Sequence, residues 1–128
     1  MSKPAKDLQN ASTLEIIQRF NVAFNQHAVD DIMALMTEDC VFENTFPPPD
    51  GERFTGQAAV RDCFEKFFQD SPSASFEFGD TFACGERACV SWCYRWIELD
   101  GREGHVLGVD IFRVQDGKVS EKCSYVKG

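Results

Sequence analysis

Asp110 stands alone as a carboxyl in the apolar run Gly108-Val109-Asp110-Ile111-Phe112. Burying a carboxylate is costly unless it is hydrogen-bonded, ion-paired or protonated, so an acid placed there asks for a reason. One reason is chemistry: an acid among apolar walls can give or take a proton, or donate a hydrogen bond to a substrate oxygen. Phe20, Phe24, Phe42 and Phe112 are the candidate walls. Asn44 is a candidate to orient a substrate oxygen, and Lys122 or Ser124 can assist from the last β-rich run. The plainer reading is a surface Asp on a strand edge, or one paired to Arg95, and the sequence leaves both readings open.

Other reactive side chains carry less. The six cysteines, at 40, 63, 84, 89, 93 and 123, include no Cys-x-x-Cys pair, and neither His stands at zinc-finger spacing. Reduced, mostly buried thiols are expected, with no metal and no cofactor. Cys89 and Cys93 share one face of a strand but lie too far apart along it to bridge. His27, at a helix end, reads as a C-terminal capping cation, and His105 has no nucleophile to serve. Pro47-Pro48-Pro49 reads as a stiff loop at a rim, flanked by Phe46 and Phe54 as lid candidates.

These side chains need a frame. The chain has 128 residues, 43% of them hydrophobic and 12% aromatic, enough for one domain with its own core and no room for a second. Twelve Phe in so small a domain either make an oversized core or line a cavity. Thirteen Lys and Arg against 21 Asp and Glu leave a net charge of −8, which repels a phosphate backbone and argues against nucleic acid as a partner. No run approaches the ~18 apolar residues of a membrane span, and the start is polar, so a cytoplasmic protein without membrane contact is expected. Residues 1–10 are expected to be a mobile segment and residues 11–128 the domain.

Ser12-Thr13-Leu14-Glu15 has the capping-box pattern, and Ile16, Ile17, Phe20, Ala23, Phe24 and His27 follow at helical spacing. Asp30 to Met36 reads as a short helix ended by Thr37-Glu38-Asp39, Cys40 to Asn44 as a short strand, and the proline run as a loop. Gly56 opens a third helix with Val60, Cys63, Phe64, Phe67 and Phe68 on one stripe. From Ser75 the period changes. Phe76 and Phe78, then Ala88 to Leu99, Val106 to Val114 and Val119 to Val126, read as strands between turn signals. Helices first and a meander after them imply an α+β domain, a curved antiparallel sheet wrapped as a cone around about three N-terminal helices.

Asp100-Gly101 is a two-residue hairpin signal, which would pair Leu99 with Arg102. Arg95 would then face Val106, Cys93 would face Gly108 and Ser91 would face Asp110, all on one side of the sheet. Trp92, Tyr94, Trp96, His105, Leu107, Val109 and Ile111 would share the other. Both faces are partly apolar, so the pattern alone does not say which looks inward. If the Trp face is the outer one, a homodimer partner is expected to cover Trp92, Tyr94 and Trp96.

Three blocks, in this order, carry a family resemblance: Arg19-Phe20 through Asp30 to Cys40-Val41-Phe42-Glu43-Asn44; Phe54-Thr55-Gly56 to Ala59-Val60-Arg61; and Gly108 to Val114 with Asp116-Gly117-Lys118-Val119. Over nearly its whole length the chain resembles the nuclear transport factor 2-like (NTF2-like) superfamily, particularly its ketosteroid isomerase-like and SnoaL-like polyketide cyclase branches. The resemblance implies a cystatin-like/NTF2-like barrel with an interior pocket. Ketosteroid isomerases use a carboxylate base, with a Tyr and a protonated Asp donating to the enolate oxygen. Asp110 falls on that oxyanion Asp, Asn44 on the base and Phe20 on the Tyr. An amide cannot shuttle a proton and Phe has no hydroxyl, so steroid isomerisation by that route is not expected. The limonene epoxide hydrolase branch needs Asp-Arg-Asp; Arg95 offers a cation, but Ser124 stands near the second Asp. A SnoaL-like pocket, where an Asp or His is the acid/base of an aldol closure, is matched more closely by Asp110 with Asn44.

Three functions follow. The first is an isomerase or cyclase with Asp110 as acid/base or hydrogen-bond donor and with Phe20, Phe24, Phe42, Asn44, Arg95, Phe112 and Ser124 around its substrate. The second is a protein that only binds a small apolar organic ligand. The third is a dimeric adaptor module working through its sheet surface.

Overall fold

The computed structural model describes the backbone of residues 2–128 and the side chains from residue 7 onward. Helix α1 (Ser2–Asn25) is followed by α2 (Val29–Ala34), β1 (Met36–Glu43), β2 (Arg53–Thr55), α3 (Gln57–Asp70), β3 (Ser75–Cys84), β4 (Arg87–Ile97), β5 (Glu103–Gln115) and β6 (Lys118–Val126). The fold is α+β, as expected; β2 was not anticipated, β1 begins at Met36 where the short helix was expected to end, and three further differences bear on the site.

The first concerns α1. The helix begins at Ser2, so the capping-box pattern at Ser12, expected to start it, lies inside it. Thr13 instead donates to the Gly85 carbonyl at 2.7 Å, and the Gly85 N–H donates to Asn10 Oδ1 at 2.7 Å, clamping the β3–β4 turn against α1. The helix ends in a Schellman motif: Ala28 N–H reaches Ala23 O and His27 N–H reaches Phe24 O, with His27 in the left-handed region at φ 55°. His27 therefore caps with its backbone rather than its charge. Its ring stacks on Phe68 and lies 3.0 Å from the Ala74 carbonyl.

The second difference concerns the sheet. It is mixed, not purely antiparallel, with strand order β2-β1-β6-β5-β4-β3 and β1 parallel to β6. Such a pair cannot be joined by a tight turn, and here α3 and the whole β3–β5 meander lie between its strands. The sheet stays open, ending at β2 and β3, so it is a curved trough rather than a closed barrel. Helix α1 lies in it. Ile17, Phe20 and Phe24 are buried there with Phe64 of α3, Val90 of β4 and Phe112 of β5. Phe20 meets Phe112 edge-on at 5.5 Å.

The third difference decides the site. Ile97 pairs with Glu103 and Arg95 with His105, one residue away from the two-residue-turn register. Glu98 N–H bonds Arg102 O, and Gly101 N–H bonds Glu98 O, leaving the three-residue loop Leu99-Asp100-Gly101. Gly101, at φ 87°, supplies the left-handed residue that such loops need. A one-residue slip turns every β4 side chain over. Val90, Trp92 and Tyr94 therefore join Val106, Gly108 and Asp110 on the concave face, while Cys93 and Arg95 join His105 and Leu107 outside. The indoles fit because glycines face them. A Cβ at Gly108 would lie 2.4 Å from Trp92 Cη2, and one at Gly104 would lie 2.3 Å from Trp96 Cε2. The dimer face built on Trp92, Tyr94 and Trp96 loses its basis here, since Trp92 is buried and Tyr94 turns inward with it.

Candidate functional site

Asp110 on β5 lies directly across from Ser124 on β6, and Lys122 sits two residues before Ser124 on the same side of that strand. Ser124 Oγ donates to Asp110 Oδ1 at 2.6 Å, and Lys122 Nζ stands 3.2 Å from Ser124 Oγ and 3.5 Å from Asp110 Oδ2. Asp110 is 3% exposed and Lys122 is 5% exposed. Desolvating two charges is expensive, and their mutual attraction offsets it only with further support. That support is present. The ammonium lies 5.0 Å from the Phe24 ring centre and 4.7 Å from that of Phe42, while the Ser124 hydroxyl bridges it to the carboxylate.

The three groups sit in the wall of a cavity of about 230 Å³. Phe24 of α1, Phe64 and Phe67 of α3, Phe76 of β3, and Trp92 and Tyr94 of β4 make most of the remaining wall, with Phe42 of β1. Phe76 stacks on Tyr94 at 4.8 Å and meets Trp92 edge-on at 5.5 Å, so the rings brace one another as well as the space between them. Among the described residues, Asp110 and Lys122 are the acidic and basic members of the lining, one of each sign. Cys63 also lines the cavity; burial pushes its thiol up, against the opposing pull of the Lys122 charge. Phe46, 73% exposed, stands at the mouth with Asn44 and Thr45.

Of the residues singled out from sequence, Asp110, Phe24, Phe42, Asn44, Lys122 and Ser124 come together around this cavity. Phe20 and Phe112 do not. Both are fully buried behind the lining, where they pack on each other. Arg95 is on the opposite face of the sheet, paired with Glu77, because the three-residue loop turned β4 over. The partner of Asp110 is therefore Lys122 and not Arg95. Asn44 is partly committed: its Oδ1 accepts from Glu52 N–H at 2.7 Å, holding the proline loop closed. Phe54 is no lid, since it packs behind Phe42 at 6.3 Å, while its counterpart Phe46 does line the opening.

Trp92, Tyr94, Phe64, Phe67 and Phe76 are lining residues that the reading of the sequence did not place in the site. The pairing of each β4 indole with a β5 glycine, Trp92 with Gly108 and Trp96 with Gly104, was a usable signal for the register. Trp92 has one more property. Its indole nitrogen is buried and, among the described residues, has no hydrogen-bond partner. Among the described residues, no three His, Cys, Asp or Glu side chains gather as a metal site, and no helix is long and apolar enough to cross a membrane.

Residues 17–122 match the family model described as a SnoaL-like domain. Among solved structures, the chain is 38% identical to an NTF2-like protein of unknown function from Mesorhizobium loti, covering 94% of each chain with a TM-score of 0.79. It is 20% identical to a proposed polyketide cyclase from Xanthomonas campestris pv. campestris, covering 93% of each chain with a TM-score of 0.76. It is 15% identical to TerC, crystallised with polyporic acid, covering 91% of this chain and 92% of that one with a TM-score of 0.78. The last two show likeness of fold alone. A search of curated proteins gives no match.

Proposed function

Because the chain belongs to the SnoaL-like domain family, we propose that it is a cytoplasmic small-molecule enzyme that binds a neutral, mostly apolar carbonyl compound beside Asp110 and moves a proton on it. The observation that carries this is the Asp110–Lys122 pair, 3.5 Å apart and nearly inaccessible, in the wall of an otherwise largely aromatic cavity. A buried ion pair adds little to stability compared with apolar packing, so one facing a cavity is better accounted for by what it does to a ligand.

The chemistry follows from the charges. The Asp110 carboxylate takes a proton from the carbon next to the ligand carbonyl. The Lys122 ammonium stabilises the negative charge that develops on the carbonyl oxygen, where a low-dielectric wall makes it most effective. The Ser124 hydroxyl holds the carboxylate in place. Asp110 then returns the proton to the far carbon of a conjugated enolate, which is an isomerisation, or the enolate carbon attacks a second carbonyl of the same molecule and Asp110 gives its proton to the alkoxide that forms, which is a cyclisation. Asn44 has no proton to exchange, so one carboxyl serves both directions.

The test is solvent deuterium uptake. 1-Tetralone, incubated with the protein in D2O, is expected to gain deuterium beside its carbonyl faster than the buffer blank, and Asp110→Asn is expected to remove the excess rate. A second reading, a binding protein without chemistry, is favoured by the commitment of Asn44 Oδ1 to the proline loop. Tetralone binding with no excess uptake would leave that reading in place of the enzyme.

A further inference from the structure

A single exposed apolar side chain is ordinary on a protein surface and by itself asks for no reason. Two on this chain stand apart from the rest. Of the large apolar side chains exposed among the described residues, Phe46, at 73%, and Val126, at 41%, are the two that also line the cavity. Each lies three residues past the last pair of the parallel β1–β6 ladder, Glu43 with Cys123, so both stand where the strands end and the trough opens. Phe46 therefore borders the space a ligand would fill while most of its surface is still in water.

The loop beneath that ring is held at both ends. Asn44 N–H donates to Glu52 O at 3.0 Å, Glu52 N–H donates to Asn44 Oδ1 at 2.7 Å, and Gly51 N–H donates to Pro47 O at 2.8 Å. Pro47, Pro48 and Pro49 have fixed φ, which leaves the backbone between those bonds few alternatives. Gly51 stands at φ 69°, and a Cβ there would lie 2.0 Å from the Asn44 carbonyl oxygen, so the loop closes on Asn44 more tightly than any other residue would allow. What is free to move at the mouth is the Phe46 ring about its own side-chain torsions, and ordering so few torsions costs little. The cavity itself, at about 230 Å³, is smaller than the roughly 300–1,000 Å³ of pockets that enclose drug-sized compounds. A compound of that size seated on Asp110, Lys122 and Ser124 therefore shows part of its surface at the mouth.

Resting on the small-molecule reading of the cavity, in its enzymatic or its binding form, we propose that Phe46 is a ligand-binding residue whose ring turns from solvent onto the bound compound and, together with Val126, closes the mouth. The part of the compound that reaches the mouth is then apolar, since that is the surface a phenyl ring and a valine cover best. Phe46 grips the compound and takes no part in the proton transfer.

The probe is 1-tetralone. Its release rate, followed by Trp fluorescence in a stopped-flow instrument, is expected to rise about fivefold in Phe46→Ala, with Kd from titration calorimetry rising by the same factor, the worth of covering roughly half of a phenyl ring. Phe46→Tyr keeps the ring and is expected to stay within about twofold of the parent protein. Both variants are expected to keep the parent's thermal midpoint, because a side chain this exposed holds little of the fold together. In a protein carrying 4-fluorophenylalanine in place of Phe46, the fluorine signal is expected to shift when 1-tetralone binds. A Phe46→Ala affinity within about twofold of the parent, or a fluorine signal that stays put while the compound binds, would overturn the assignment of Phe46 and leave the Asp110 chemistry standing. These readouts need binding alone, so a lack of deuterium uptake would remove the proton-transfer reading and leave this inference in place. If 1-tetralone does not bind the parent protein, the small-molecule reading itself fails, and this inference with it.

Discussion

Lys122→Met isolates the energetics of the site. It leaves the Asp110 carboxylate 3% exposed, with the Ser124 hydroxyl as its one remaining partner. At 3.5 Å, two unit charges attract by about 5 kcal/mol at an effective dielectric of 20. Removing one member of a buried pair costs about 3–5 kcal/mol because the other is stranded, whereas removing both is often close to neutral. Each kcal/mol shifts the melting point of a domain this size by about 3–5 °C. Lys122→Met is therefore expected to lower the melting point by about 10 °C or more, and the double variant Lys122→Met/Asp110→Asn by less than half as much. Urea unfolding of the wild type, the two single variants and the double variant gives the coupling energy, expected to be about 2 kcal/mol or more. A coupling under about 0.5 kcal/mol would mean that the two groups do not sense each other in the folded protein, and the argument for a charged pair in the cavity would fail.

Gly108→Ala places a methyl 2.3 Å from the Tyr125 carbonyl oxygen and 2.4 Å from Trp92 Cη2, so backbone and indole must both move. A loss of about 1–3 kcal/mol in urea unfolding is expected, with a changed Trp fluorescence spectrum. Arg95→Ala removes only an exposed pair with Glu77 and is expected to leave both tetralone affinity and the urea midpoint unchanged within error. Iodoacetamide at pH 8 is expected to alkylate the exposed Cys84 first, and the buried Cys40 and Cys123 last, as read by mass spectrometry. Burial, and then the charges of Glu121 and Glu43, push the Cys123 thiol up to about 11, from an ordinary 9.0. The folded chain then holds that proton more tightly than the unfolded one. Its contribution is complete below about pH 9 and fades as pH climbs through 11, so the urea midpoint is expected to fall less steeply over that interval in Cys123→Ala than in the wild type.

The α+β class and the order of every element but β2 were legible because helical spacing, broken once by a short strand after the second helix, gives way to alternation for the rest of the chain near Ser75. Asp110 was legible as a lone acid in an apolar run. What failed was a single residue of register: Asp100-Gly101 resembles a two-residue turn, yet Gly101 serves as the left-handed last residue of a three-residue loop. That slip exchanged Arg95 for Tyr94 in the cavity and hid Trp92 as part of its lining. Phe20 and Phe112 were placed in the lining because helical and strand phase show which side faces the interior, but not how deep. The parallel pairing of β1 with β6 is settled by contacts across some eighty residues, which no local pattern reports.

That pairing has a consequence for how the protein is made. β6 is synthesised after the other five strands of this sheet, yet it lies inside the sheet between β1 and β5, and it carries Lys122 and Ser124. Until it leaves the ribosome, the β1–β2 pair has no strand linking it to the β3–β5 meander, and the Phe-rich trough stands open along its middle. Assembly must therefore wait for the finished strand, so a nascent chain stalled before Lys118 is a natural client for chaperones that hold greasy surfaces.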